Sequence, residues 1–576
     1  MTTPSMSMSK STSSGGDTLI NEPLSPSASG FSATPEQVDA MNHTVPPTHA
    51  SRTLVLCFDG TGDQFDNDNS NVVLFFSMLK KDDRKQQMVY YQTGIGTYTN
   101  ESIISPIASK VSKTLDSMVA WNLNSHVMSG YEFLMQNYEA GDKICLFGFS
   151  RGAYTARALA GMVHKVGLLP ACNHQQVPFA YKMFLKTDEA GWKQSTAFKK
   201  AFSMDVDIDF IGVWDTVNSV GIIPHRLPFT ASNTAVKVFR HAVSLDERRA
   251  KFKANLFNRP TKKEQALGTH PGEMPKAGAD VVTINTAPNG ANGANGAHNK
   301  ESSLKKKNGN SERKKQRQME REFSMNDGCH SQETDVLEVW FAGCHCDVGG
   351  GSVANETRHN LARIPLRWMV RQCFKTNTGI QFHASLLRSI GMEPATLWPV
   401  VQTRPEALTY SSLPHAAQAA LIDHVRECSK QPPVSPPVPE ESAMPGGYTP
   451  VVNVGYAETP LAVGPDGKTA LIMSEEEEDL RDALCPIYDQ LSLAPSWWFL
   501  ELFPMRHREQ RDDDHWIGNW SLNLGRGRKI PKRIQRRQEF HVHRSVKIRL
   551  DAGENLPGGR YTPKARQWEV EPNWVD

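Results

Sequence analysis

The sequence predicts an α/β fold, in which a mostly parallel sheet carries helices on both faces. Five apolar runs of strand length recur along the chain, and they are continuous instead of alternating, as in strands buried on both faces. A helical pattern between some of these runs supports the same class. The runs are TLVLCFDG (53–60), MVYYQTG (88–94), ICLFGF (144–149), IDFIGVW (208–214) and VLEVWFAG (336–343). In such a fold the active site lies at the carboxyl ends of the strands.

Two helices are predicted beside the third run. The segment from Ser109 to Tyr138 has apolar residues at steps of three and four, the period of an amphipathic helix. Directly after ICLFGF and the short stretch SRG, the residues AYTARALAGMVHKVG (153–167) are typical of a helix. The third run is therefore expected to be a buried strand between two helices.

The chain is too long for one simple core. Its 576 residues exceed the roughly 250 to 300 that one core usually organises, which favours a large domain with insertions or two domains. We predict a disordered leader (1–50), a catalytic domain (51–430) with a flexible basic insertion at about 259–333, a proline-rich linker (431–470), and a helical, basic carboxyl-terminal appendage that packs on the catalytic domain (471–576).

Charge and targeting signals exclude several classes of protein. There are 64 Lys and Arg against 62 Asp and Glu, a formal net charge of +2, so the chain as a whole does not point to nucleic acid as a partner. The first twenty residues lack the apolar core of a signal peptide, and no run of about 18 apolar residues could cross a membrane. The nine cysteines are scattered, several of them in apolar runs. We expect a reduced, cytoplasmic protein.

Three segments outside the strands allow more than one interpretation. The basic run at 300–321 has nine basic and three acidic residues; it is either a solvated loop, or a localisation signal or patch for anionic lipid or RNA. The apolar segment PSWWFLELFPM (495–505) is either a helix packed on the core, a lid, or a membrane contact. The basic stretch at 526–549 is either a solvated face or a phosphate-binding surface.

The sequence GFSRG is the most informative short motif. Gly148, Ser150 and Gly152 have the G-x-S-x-G spacing of a nucleophile elbow. In this turn the serine has a strained backbone, and the flanking glycines let strand and helix approach without Cβ clashes. The preceding apolar strand and the following helix supply the context that the motif needs. We predict that Ser150 is a nucleophile at the carboxyl end of its strand.

A serine nucleophile needs a base, and the base needs a carboxylate. In an elbow fold the chain order is serine, acid, histidine, and Asp215 and His345 follow two later strands in this order. Asp347 is an alternative acid, but two residues from His345 on a glycine-rich turn it is poorly placed to reach the far ring nitrogen, and we expect it to order the loop. His241 is the reserve base.

Acyl transfer also needs two N–H groups for the oxyanion. The residue after the nucleophile, Arg151, supplies one, and the turn CFDGTGD supplies the second from Gly60 or Thr61. Asp59 would support this turn. The same residues could form an ordinary tight turn, and because no lysine follows in P-loop spacing, they do not predict a nucleotide site.

Metal binding has one candidate, the C-x-C pair Cys344 and Cys346 around His345. Without a second Cys/His pair nearby, it supplies too few ligands for a tetrahedral zinc site. We therefore expect neither a metal nor an organic cofactor.

Six motifs, in order, carry a resemblance to a known family. They are CFDGTGD, YYQTGIGT, YEFLMQNYEAGDKICLFGFSRGAYTARALAGMVHKVGLL, FIGVWDTVNSVG, HAVSLDERRAKF and VWFAGCHCDVGGG, and they cover about 53–257 and 335–371. The chain resembles the α/β-hydrolase group that includes the catalytic domain of type VI secretion phospholipase effectors of the Tle-one class. The resemblance puts Ser150, Asp215 and His345 at the family's nucleophile, acid and base, and implies ester hydrolysis of phospholipid.

The chain departs from the family pattern in one place, and its insertions resemble those of fungal members. Between GIGT and YEFL the family would have a glycine-rich turn, where this chain has SKVSKTLDSMVAWNLNSHVMSG. We expect a serine ester hydrolase that acts on phospholipid or another lipid ester, with peripheral contact to anionic membrane. The alternatives are a small-ester or acyl-protein thioesterase, and a catalytically silent scaffold that binds anionic membranes or RNA. The sequence carries no signal for an oligomeric state.

Overall fold

The computed structural model describes residues 44–61, 63–94, 108–217, 236–259, 274, 334–430, 474–511 and 515–576, with the backbone alone for 108–122, 430 and 506–508. Nearly all of the predicted leader, basic insertion and proline-rich linker lies outside these residues, and the predictions for these segments stay predictions. None of the helices in the described ranges is apolar enough over a sufficient length to cross a bilayer.

An eight-stranded sheet forms the centre of the molecule, and every pairing within it is parallel. The five predicted strands are confirmed as five of its members. The strands of the chain are β1 (Thr44–Val45), β2 (Thr53–Phe58), β3 (Gln87–Gln92), β4 (Lys143–Phe149), β5 (Ile208–Trp214), β6 (Val236–Ser244), β7 (Asp335–Phe341), β8 (Phe382–His383), β9 (Met505–Gln510), β10 (Trp516–Ser521), β11 (His541–His543) and β12 (Asn573–Val575). The order in the sheet is β12-β11-β7-β6-β5-β4-β2-β3. Two antiparallel pairs, β1 with β8 and β9 with β10, lie outside it.

The order of the strands in the sheet indicates where a ligand would bind. The chain runs from β2 outward to β3 and then returns to β4 on the other side of β2. Strand order therefore reverses between β2 and β4, and in open α/β sheets ligands bind beside such a reversal, at the strands' carboxyl ends. The GFSRG motif follows β4 and the CFDGTGD turn follows β2, so both motifs lie at this point.

Helices cover both faces of the sheet, as predicted. They are α1 (Asn71–Met78), α2 (Ala108–Asn137), α3 (Ser150–Val166), α4 (Val177–Leu185), α5 (Glu189–Phe202), α6 (His345–Gly349), α7 (Arg363–Lys375), α8 (Ala384–Ser389), α9 (His415–Lys430), α10 (Glu475–Leu484), α11 (Gln490–Leu493), α12 (Trp498–Glu501), α13 (Lys532–Arg536) and α14 (Ser545–Ala552). Short 3₁₀ turns lie at His174–Gln176, Ala250–Phe252, Pro394–Thr396, Tyr410–Ser412, Pro495–Trp497 and Gly553–Asn555. One core joins the sheet to α2, α3, α4 and α5. A second core, on the other face, includes side chains from α1, α7, α10 and α14.

Three strands of the sheet were not predicted. In β6 the apolar run is interrupted by Arg240 and His241, which are buried because each has partners: the Arg240 guanidinium pairs with the Asp335 carboxylate at 2.6 Å, and His241 Nδ1 lies 2.7 Å from Glu338 Oε1. The strands β11 and β12 are three residues each. Through them the carboxyl-terminal region extends the central sheet beyond β7.

Candidate active site

The turn between β4 and α3 has the strained geometry that GFSRG predicts. Ser150 has a φ of 56°, in the left-handed region that residues with a side chain avoid. A Cβ on Gly148 would lie 2.6 Å from the Ala153 nitrogen, and a Cβ on Gly152 would lie 2.1 Å from the carbonyl oxygen of Phe58 at the end of β2. Glycine is therefore required at both positions for α3 to begin directly against the sheet.

The structure brings the three predicted side chains together. His345 Nε2 lies 2.8 Å from Ser150 Oγ, and His345 Nδ1 lies 2.5 Å from Asp215 Oδ2. The three residues come from the carboxyl ends of β4, β5 and β7. They are nearly buried, with Ser150 5% exposed and His345 3% exposed, so their charges interact through protein and not through bulk water.

Asp215 is held as a carboxylate by three residues. Besides His345, its Oδ1 accepts the Ser244 N–H at 2.9 Å, and its two oxygens accept the two terminal nitrogens of Arg528, at 2.7 Å for Nη2. Burial by itself would raise the pKa of Asp215, but the Arg528 cation and the hydrogen bond with His345 hold it below its usual value. The acid is therefore ionised across the physiological pH range.

His345 is neutral near pH 7. Burial lowers the pKa of its imidazole, and the hydrogen bond and charge of Asp215 oppose this shift only in part. Its ring packs against Phe149 at 4.6 Å and against the edge of Phe252 at 4.8 Å between centroids. Its backbone N–H donates to Glu247 Oε2 at 3.2 Å. A neutral imidazole with one nitrogen on a carboxylate and the other on a hydroxyl can accept the hydroxyl proton.

The predicted oxyanion donors lie at the start of α3 and in the turn after β2. No side chain caps the amino end of α3, where the first backbone N–H groups, including that of Arg151, have no partner within the helix. In the other turn the Gly60 N–H already donates to Asp59 Oδ1 at 2.8 Å. Thr61 therefore remains the better of the two predicted second donors, and its buried hydroxyl has no partner among the described residues.

Asp59 fixes the turn after β2. Its carboxylate accepts Ser70 Oγ–H and Tyr91 O–H, both at 2.6 Å, in addition to Gly60 N–H. Burial raises the pKa of Asp59 to about 6, while these hydrogen bonds stabilise the ionised form. The segments of Ser70 and Tyr91 are thereby tied to the turn after β2.

The alternative acid and base lie elsewhere. Asp347 Oδ2 accepts the backbone N–H groups of Cys344 at 2.8 Å and Tyr488 at 3.0 Å, which fixes the loop around the histidine. Burial raises its pKa to about 7. His241 accepts the Thr216 N–H at Nε2, 3.1 Å away, so it braces the loop that begins at Asp215.

Sequence reasoning missed the residues that surround the histidine and its acid. Arg528 lies in a basic stretch where nothing distinguishes it from its neighbours. Above His345, Phe252 contacts the ring of Trp497 edge-on at 5.5 Å, and the Arg249 guanidinium stacks 3.5 Å from the Phe252 ring centroid. Through Phe252 the segment that contains Trp497 is linked to His345.

Potential metal ligands gather in one place in the described part of the chain, and none of them belongs to the hydrogen-bonded chain of Ser150, His345 and Asp215. The side chains of His359, Glu478 and Asp482 place one ligand atom each within 4.8 Å of one another. Both carboxylates already pair with arginines, Glu478 with Arg358 and Asp482 with Arg367. No metal is needed to balance their charge.

Three known proteins are similar to the chain. A yeast relative, the uncharacterized protein YEL023C of Saccharomyces cerevisiae, is 29% identical over 559 residues, 85% of this chain and 78% of that protein. An uncharacterized protein from Pseudomonas aeruginosa matches at 16% identity and a TM-score of 0.29, over 63% of this chain and 51% of that one. The Tle1 effector bound to the VgrG spike from the Type 6 secretion system matches at 16% identity and a TM-score of 0.20, over 40% and 49%. The chain thus spans about half the length of either solved structure.

The family described as "T6SS, Phospholipase effector Tle1-like, catalytic domain" matches residues 52–372. This range holds the strands β2 to β7 and all three residues of the hydrogen-bonded chain. The protein belongs to the family of Tle1-like phospholipase effector catalytic domains.

Proposed function

We propose that the protein is a serine ester hydrolase that cleaves a phospholipid or another lipid ester through an acyl-enzyme. The observation that carries the proposal is the continuous chain of hydrogen bonds from Ser150 through His345 to Asp215, with the serine on a strained turn. A buried, neutral imidazole between a carboxylate and a hydroxyl is what an activated serine requires.

The proposed reaction has two halves. Ser150 Oγ attacks the ester carbonyl while His345 Nε2 takes its proton, and the Arg151 and Thr61 N–H groups hold the oxyanion. The tetrahedral intermediate expels the alcohol, to which His345 returns the proton. Water then attacks the acyl-enzyme while His345 takes its proton, and His345 passes this proton to Ser150 Oγ as the carboxylic acid leaves. Asp215 stabilises the imidazolium in both halves, and each oxyanion donor is worth roughly 3 to 4 kcal/mol.

The lipid class is supported by the family, whose description names phospholipase effectors. The aromatic side chains of Phe149, Phe252 and Trp497 around His345 also provide an apolar setting that suits an acyl chain better than a charged substrate. A thioesterase or small-ester hydrolase would use the same three residues.

The serine is tested with a fluorophosphonate probe, which reacts with activated serines. The wild-type protein is expected to be labelled, Ser150→Ala to be unlabelled, and Ser429→Ala, an exposed serine on α9, to be labelled like the wild type. A folded wild-type protein that never labels would refute the serine mechanism and favour the scaffold.

The substrate class is tested by comparing p-nitrophenyl esters of increasing chain length with phospholipid vesicles. Turnover of long-chain esters and release of fatty acid from vesicles are expected. Activity confined to short soluble esters would refute the lipid assignment while leaving the serine mechanism in place.

A further inference from the structure

The short helix α12 has its charged residue inside and its apolar residues outside. Glu501 is 1% exposed, and its Oε2 accepts Asn523 Nδ2–H at 2.6 Å and Gly525 N–H at 2.8 Å, while Oε1 accepts the Ala250 N–H. Because a buried carboxylate is costly unless it is hydrogen-bonded, these three donors fix the helix in this orientation. The apolar side chains are exposed as a consequence of that anchoring.

The outward face is large and continues along the chain. Phe499 is 66% exposed and Leu502 63% exposed, and Phe503 packs its ring 5.1 Å from that of Phe499. Their spacing of three and four residues puts them on one side of the helix and the turn that follows. We call the following residues the apolar face: Leu493, Trp498, Phe499, Leu502, Phe503, Trp520, Leu522 and Leu524, all of them exposed.

The members from different segments are held together. The ring of Trp498 lies against Gly525, where a Cβ would be 2.8 Å from it, so α12 and Leu524 are neighbours. Trp520 is on β10, which pairs with β9 directly after the helix. Soluble proteins rarely expose so many large apolar side chains in one region unless they contact a membrane, a ligand or another protein there.

The apolar face is continuous with the proposed active site. Trp497, the residue before α12, contacts Phe252 edge-on, and Phe252 contacts His345. Two aromatic rings, Trp497 and Phe252, therefore connect the residue before α12 to the imidazole. The next residue, Trp498, belongs to the apolar face.

Cations border the apolar face on the side of the site. The Lys253 amine donates to the Arg526 carbonyl at 3.2 Å, and Arg566 Nε donates to the Gly527 carbonyl at 2.9 Å. Arg526 is exposed, two residues after Leu524. Three positive side chains thus lie beside exposed aliphatic and aromatic groups, and Trp with Arg or Lys next to apolar residues is the composition of a membrane-interface surface.

We propose that the apolar face docks on the surface of a phospholipid bilayer that contains anionic lipids, with Lys253, Arg526 and Arg566 against the phosphates. This inference rests on the proposed function, since the bilayer would also supply the substrate. Docking would deliver an acyl chain beside Trp497 and Phe252, the second of which packs on His345.

The test measures vesicle binding without catalysis. The Ser150→Ala chain is mixed with phosphatidylcholine vesicles, with or without phosphatidylserine, and binding is measured by co-sedimentation. In this background Phe499→Ser, Leu502→Ser and Phe503→Ser together are expected to weaken binding by about tenfold or more, because the apolar groups that enter the interface are lost. The matched control Phe202→Ser changes a phenylalanine that is 55% exposed on α5, and it is expected to bind like its parent. Thermal unfolding midpoints confirm that both variants fold.

Each outcome decides the proposal. The proposal is supported if the triple variant binds vesicles more weakly than its parent and if phosphatidylserine strengthens binding of the parent. This result does not depend on catalysis. A wild-type protein that binds vesicles but hydrolyses no ester would therefore refute only the proposed function. Equal binding of the triple variant and its parent, or no binding by the parent, overturns the membrane proposal. The triple variant could instead lose self-association, measured by analytical ultracentrifugation, and keep vesicle binding. This result would identify the apolar face as a contact between copies of the chain and would overturn the membrane proposal.

Discussion

Replacing Arg528 with glutamine should change the pH dependence of turnover. In the wild-type protein Arg528 Nη2 and His345 Nδ1 bond the same oxygen of Asp215, at 2.7 Å and 2.5 Å, so the two nitrogens are at most about 5 Å apart. The cation opposes protonation of the imidazole and stabilises the ionised carboxylate. Two charges at ~5 Å interact by about 3 kcal/mol in an effective dielectric of about 20, which corresponds to about two pKa units.

The assay is the pH profile of kcat/KM. For Arg528→Gln we expect the acid limb to move to higher pH by about one to two units, because both the imidazole and its carboxylate partner become easier to protonate. Arg528→Lys keeps the charge and should keep the limb near its wild-type position with a lower maximal rate, since the two-pronged hydrogen bond is lost.

Two results would refute this reasoning. One is a folded Arg528→Gln enzyme with an unmoved acid limb, and the other is an Arg528→Lys limb displaced as far as that of the glutamine variant. Removing one partner of a buried ion pair also costs about 3 to 5 kcal/mol of folding stability, so unfolding midpoints are recorded for both proteins. If the glutamine variant does not fold, an Arg528→Lys acid limb displaced by about one to two pH units from the wild-type position would still refute the reasoning.

Three further predictions follow from the site. Asp215→Asn should lower kcat by about 10⁴, whereas Asp347→Asn should lower it far less; a reversed order in steady-state kinetics would show that the acid is misassigned. For the wild type, burial lowers the pKa of His345, so activity should be full at pH 7 and fall only when the pH is lowered below the usual histidine value of about 6.5; a limb above pH 7 would contradict this. Gly152→Ala should destabilise the fold by about 3 kcal/mol or more in urea unfolding, because its Cβ would meet backbone oxygens 2.1 Å and 2.3 Å away. The control Gly558→Ala has no atom within 4 Å of its Cβ and should leave the urea midpoint unchanged within experimental error.

The central strands could be predicted because a strand buried on both faces leaves a continuous apolar run. The runs that became β2, β4 and β5 have this property. The site followed from the same physics, since the carboxyl ends of neighbouring parallel strands meet at one edge and bring Ser150, Asp215 and His345 together. The G-x-S-x-G spacing, the chain order and the strand ends predicted three residues that the structure places within hydrogen-bonding distance of one another.

The remainder depended on contacts between distant segments. Strand β6 was not predicted because Arg240 and His241 interrupt its apolar run. These side chains are tolerated in a core only because residues distant in the chain bond them: Asp335, Gln372 and Glu338. Arg528 is one of ten basic residues at 526–549, and only the folded chain shows that it is buried together with Arg533 and Arg549. The hydrophobic pattern of a sequence predicts which apolar side chains are buried. It does not predict which charged side chains are buried.

The distance along the chain between Asp215 and Arg528, 313 residues, has a consequence for biosynthesis. On the ribosome the serine, the histidine and their carboxylate emerge long before the cation that completes their setting. A nascent or truncated polypeptide would hold an unbalanced buried charge at its centre. We therefore expect a nascent chain to acquire the wild-type pH dependence of hydrolysis only after Arg528 has left the ribosome and paired with Asp215.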